Sequence, residues 1–93
     1  MLSGSQIERI GKYLMANLPI MYDVDSSNVA SAGMDDATGT FYVRFLPKGN
    51  SPGSLYAYYG VESSMLEEFF AASSKGQFIW QYLRGRYTYE RIE

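Results

Sequence analysis

The sequence predicts an α+β domain: a three-stranded antiparallel meander packed by two C-terminal helices, with an additional N-terminal amphipathic helix. Three observations predict it. Apolar residues recur at helical spacing in three separate windows. Thr40 to Leu46 is a run of β-branched and aromatic residues. The links between successive strand-like runs are short and rich in Gly, Pro and Asp, as hairpins require.

Taken in order, Gln6 to Leu18 reads as a helix, with Ile7, Ile10, Leu14 and Leu18 on one stripe. Ser3 or Ser5 would cap it, and Pro19 ends it. Tyr22 to Ser27 reads as a polar connector. Asn28 to Met34 reads as the first strand, and Asp35-Asp36-Ala37-Thr38-Gly39 as a turn. In Thr40 to Leu46, alternation sends Phe41, Val43 and Phe45 to one face and Tyr42 and Arg44 to the other. Residues 47–53 hold two Pro and two Gly, a hairpin loop, and Ser54 to Tyr59 is the third strand. Glu62 to Ala72 then reads as a helix, with Met65, Leu66, Phe69 and Phe70 toward the core. Ser73 or Ser74 caps a second helix, whose buried stripe is Phe78, Ile79, Tyr82 and Leu83. Gly85 stops it, and Tyr87 to Ile92 is an extended tail.

Composition removes several function classes. The chain has 93 residues, one domain's worth, and a formal net charge of −2. A net negative chain is no general duplex-DNA binder, because duplex binding needs a broad basic face. Lys75, Arg84, Arg86 and Arg91 nevertheless gather near the C-terminus, so a local basic site is compatible with the acidic total. There is no Cys and no His. That argues against zinc and rules out Cys-His and Ser-His nucleophile pairs. No cofactor is expected. Asp35 with Asp36, and Glu67 with Glu68, are sequence neighbours whose side chains diverge, so no acid–base pair is evident and no catalytic residue is expected. No signal peptide or membrane-length apolar run is visible, and the expected location is the cytoplasm, of a bacterium or a phage-infected cell.

Three segments carry a family resemblance. They are Tyr56-Ala57-Tyr58 followed by Val61, then Ser74-Lys75-Gly76-Gln77-Phe78, then Arg84-Gly85-Arg86-Tyr87-Thr88-Tyr89. Ser26-Ser27-Asn28-Val29 and Gly33-Met34-Asp35 add to them. In this order and spacing they resemble the KTSC domain, named for the C-terminal end of some lysyl-tRNA synthetases and found also as stand-alone bacterial and phage proteins. The resemblance runs from about Val24 to Ile92. It divides the chain into an N-terminal helical extension, 1–23, and a KTSC-like domain, 24–93. Met34 departs from it, standing where an aromatic is common. The resemblance implies a small domain for which RNA binding has been put forward, and no reaction.

The candidate site residues have a functional and a plain reading each. Ser74 and Lys75 open a helix, where free N–H groups and an ammonium could hold phosphate; the plain reading is an N-cap and a solvated lysine. Arg84 and Arg86 suit bidentate phosphate contact, with Tyr87 and Tyr89 close by for base stacking; the plain reading pairs them with Glu62, Glu67, Glu68 or the C-terminal carboxylate. Tyr56 and Tyr58 share a strand face and could stack a base. The favoured alternative packs them under the helices, with the residue between them exposed. Arg44, with Tyr42 and Tyr59, lies on the opposite sheet face, where the N-terminal helix or a second subunit would cover a tyrosine-rich seam.

The expected function is therefore a non-catalytic binding module for phosphate-bearing nucleotides or single-stranded RNA. Surplus apolar surface points to a homo-oligomer, most simply a C2 dimer or a pair of dimers. Paired basic sites would suit a cyclic dinucleotide or an NAD-derived molecule, and a phage copy would then act as a sponge for a nucleotide immune signal. The alternative from another class is a structural or protein-interaction module whose arginines form intramolecular pairs.

Overall fold

The computed structural model describes residues 18–47 and 53–93. Its centre is a five-stranded antiparallel sheet in the order β1-β2-β3-β4-β5. The strands are β1 Tyr22–Asp23, β2 Val29–Asp35, β3 Thr40–Phe45, β4 Leu55–Tyr59 and β5 Tyr89–Arg91. Two helices sit between β4 and β5 in the chain: α1, Met65–Ala71, and α2, Lys75–Phe78, which runs on into a π-helical turn over Ile79–Leu83.

The three central strands fall where the alternation puts them. The sheet is wider than the expected meander by one strand at each edge. Tyr22 and Asp23 pair with Ala32 and Ser31, so the segment read as a connector starts with a strand. The C-terminal tail pairs with β4, setting Arg91 opposite Tyr56 and Tyr89 opposite Tyr58. The expected N-terminal helix over Gln6 to Leu18 lies outside the described residues apart from Leu18.

The β2–β3 turn closes on Asp35, whose side-chain oxygen accepts from the Ala37 amide at 3.0 Å while its carbonyl accepts from Gly39 at 2.9 Å. Ser26 Oγ accepts from the amides of Asn28 and Val29, both at 3.1 Å, and so fixes the entry to β2.

The front face of the sheet carries the main core. Phe41, Val43 and Tyr58 pack there against Met65, Phe69, Phe78, Ile79 and Leu83 from the helices. Phe69 sits between Phe41 and Phe78 in edge-to-face pairs, with centroids 5.6 and 5.7 Å apart. Burial of one such ring is worth roughly 1.5–3 kcal/mol. Both helices are too short to bury four apolar residues each. Phe70 is 38% exposed and Tyr82 44%, so each expected stripe loses one member to the surface.

The back face has a smaller second layer of Tyr42, Leu55 and Ala57, with Leu18, Met21, Tyr59 and Ile92 against it. Ala57 is thereby fully buried, not exposed as the Tyr-Ala-Tyr reading required, because the sheet is covered on both sides. No helix among the described residues is long and apolar enough to cross a membrane.

Candidate functional site

The tripeptide before α2 makes three different local contacts. Ser74 is the N-cap, its hydroxyl accepting from the Gln77 amide at 3.3 Å. Lys75 turns back to the preceding helix, and its ammonium donates to the carbonyls of Phe70 at 3.0 Å and Ala72 at 2.5 Å. Those carbonyls at the end of α1 lack intrahelical donors, so the lysine caps it and complements its dipole. Gly76 lies against Asn28: a Cβ there would stand 2.9 Å from the Asn28 side-chain Nδ2.

Beyond this joint, a cleft of about 460 Å³ opens between α2 and the β3–β4 end of the sheet. Phe45, Tyr56 and Tyr58 line the sheet side, and Gly76, Ile79, Trp80 and Arg84 the helix side. Asn28, Ser54 and Arg91 are polar members of its wall. Among the described lining residues there are two cations and no carboxylate.

The π turn places Trp80 and Arg84, four residues apart, on one side of the helix. The Arg84 guanidinium lies 4.4 Å from the centroid of the Trp80 ring and 5.9 Å from that of Tyr89. Stacking uses the flat face of the guanidinium and leaves the N–H groups on its edge free for an anion. Trp80 itself is 65% exposed, a large apolar surface to leave in water. Tyr56, Tyr58 and Tyr89 form a ring cluster below, with centroids 5.5–6.5 Å apart.

Tyr58 is only 1% exposed, and its hydroxyl has no hydrogen-bond partner among the described residues. Burial pushes its pKa up to about 12, against the opposing influence of the Arg84 charge and with smaller upward contributions from Tyr56 and Tyr89. It is therefore a neutral donor at ordinary pH, buried in the wall of the cleft.

The cleft thus brings together only some of the expected residues. Arg84, Tyr56 and Tyr58 line it, and Tyr89 adjoins it. Ser74 and Lys75 are engaged by helix ends. Tyr87 packs against the core, and Arg86 is exposed outside the lining. Arg44 is on the back face, where it donates to Glu93 at 2.6 Å and to the Gly53 carbonyl at 3.0 Å. No carboxylate among the described residues forms an ion pair with Arg84 or Arg86. Trp80, Arg91 and Asn28 line the cleft without having been singled out as site residues. No group of acidic side chains among the described residues could hold a metal ion.

Comparison with known proteins gives a family. The KTSC domain model matches residues 25–87. The match stops short of β1 and β5, the two edge strands of the same sheet. The crystal structure of a KTSC domain protein from Yersinia pestis aligns with a TM-score of 0.68 at 26% sequence identity, covering 80% of this chain and 97% of that one. No curated protein matches the chain. With a family model matched over most of its length and a solved KTSC domain structure aligning with most of it, the chain belongs to the KTSC domain family.

Proposed function

We propose that the chain is a non-catalytic binding module, and that the cleft beside Trp80 receives a phosphate-bearing nucleotide ligand or single-stranded RNA. The observation that carries this reading is Arg84 stacked on an exposed Trp80, beside Arg91, in a cleft whose described walls hold no carboxylate. An aromatic face offers a base a stacking surface worth roughly 1–3 kcal/mol, and an arginine edge offers a phosphate two parallel hydrogen bonds. Replacing Arg84 and Arg91 together by Gln should weaken binding of nucleotides or RNA while leaving the melting temperature nearly unchanged. If thermal-shift and filter-binding screens over nucleotides and RNA find no ligand, the proposal fails.

The proposal extends to assembly and purpose. A homo-oligomer, most simply a C2 dimer, is supported by Ile20 at 71% exposed and by Tyr22 and Phe70, which meet edge to face at 5.8 Å on the β1 side. A clean monomer by light scattering across the micromolar range would refute it. Holding a nucleotide immune signal without turning it over would make a phage copy a sponge; an excess of the protein that failed to lower the free concentration of such a signal would exclude that role. The same exposed apolar trio favours the second reading, a protein-interaction module, and recovery of one stoichiometric protein partner that an Ile20→Asp variant no longer captures would favour it.

A further inference from the structure

Resting on the reading of the cleft as a nucleotide site, we infer that its ligand is a single nucleotide, one base with a terminal phosphate or diphosphate, and not a length of RNA. Size is the first reason. A volume of about 460 Å³ lies within the range of small-molecule sites and holds one nucleotide.

Charge is the second. A single-strand binder tracks the backbone with a positive groove over several nucleotides, roughly 4–16 for one small fold. The described cations beyond the cleft do not extend it. Lys75 points at the end of α1, Arg44 is paired with Glu93 on the opposite face of the sheet, and Arg86 lies outside the lining. Among the described residues, the positive charge in the cleft lining is that of Arg84 and Arg91, enough for one dianionic phosphate group.

Polar groups are the third. The antiparallel register sets Arg91 directly across from Tyr56, so a cation and a ring are neighbours on the same face. Arg91 spends its Nε–H on the Glu93 carbonyl at 3.0 Å and keeps its terminal amino groups. The buried Tyr58 hydroxyl lacks a described partner, and the Asn28 amide can both donate and accept. The Tyr58 hydroxyl and the Asn28 amide suit the hydrogen-bonding edge of one base and leave Arg91 to the phosphate. Arg84 is already held in place by Trp80, so little side-chain freedom is lost when it takes a phosphate.

The test uses the full chain and isothermal titration calorimetry, with Trp80, the single tryptophan, as a fluorescent reporter. The probes are the four common nucleoside diphosphates, adenosine, and RNA of two and of roughly twelve nucleotides. At least one diphosphate should bind saturably and quench Trp80, with adenosine at least about 10-fold weaker. Arg84→Gln and Arg91→Gln should each lower diphosphate affinity about 10-fold or more with the melting temperature held. RNA affinity should not rise with length. Tight RNA binding that grows with length, with no diphosphate bound, overturns the inference and leaves the wider reading standing. No heat and no quenching with any probe ends both.

Discussion

Lys75 separates a structural role from a binding role most cleanly. Lys75→Met keeps the aliphatic stem near Phe69 and removes the ammonium, which donates to the Phe70 carbonyl at 3.0 Å and the Ala72 carbonyl at 2.5 Å. A hydrogen bond to a charged group contributes roughly 1.5–3 kcal/mol when buried; one of these is exposed and the other partly buried, so about 1 kcal/mol for the pair is appropriate. A cation at a helix C-terminus adds about 0.3–1 kcal/mol. The variant should therefore lose roughly 1.3–2 kcal/mol. In a domain of this size that corresponds to a fall of about 5–16 °C in melting temperature, measured by far-UV circular dichroism. Ligand affinity, read well below the transition, should hold. A melting temperature within about 2 °C of the parent would refute the capping argument. Lost affinity at an unchanged melting temperature would return Lys75 to the ligand site.

Tyr58→Phe removes a buried hydroxyl without a described partner, so chemical denaturation should show no loss of stability, and a loss above about 1 kcal/mol would mean that the hydroxyl is satisfied after all. Tyr58 and Tyr59 are both pushed up to about 12, chiefly by burial, and for Tyr59 also by its 2.6 Å hydrogen bond to Glu90. Folded pKa values above the unfolded value of 10 contribute stability that is complete below pH 10 and is lost as pH rises toward 12; burial raises Tyr42 as well, so ultraviolet titration should show at least these phenols ionising late, and one common transition near pH 10 would contradict this. Arg44→Met breaks a half-exposed ion pair, so it should cost about 0.5–1 kcal/mol, shrink that cost in high salt, and leave nucleotide binding untouched. A drop in affinity would show that the back face takes part in binding.

The central hairpins were legible because their alternation is strong and their turns are marked by Gly and Asp. The edge strands were not, for a physical reason. β1 has two residues and β5 three, too few for a period, and each is a strand only by virtue of its partner. Packing of Tyr58 under the helices was read correctly from its strand face, yet Ala57 was misplaced because the second apolar layer gathers residues distant in sequence. At the cleft, the residues tied to the family motifs drew notice first. Trp80 escaped because it falls off the buried stripe of its helix, although a lone tryptophan at an exposed helical position four residues before an arginine is itself a signal. Arg91 required only that the Tyr87-Tyr89 alternation be carried one step further.

The joint at residues 74–76 has a consequence for how such chains are recognised. One residue closes its own helix, the next fastens the helix before it, and the third makes room for a side chain at the entry to β2. All three serve the assembly of the scaffold. A chain can carry this signature intact and still present a different recess, because Trp80 and Arg91 can change without loosening the joint. Membership in the family and choice of ligand are then separable properties. Two proteins sharing Ser-Lys-Gly should be expected to fold alike, and only their cleft walls say whether they bind alike.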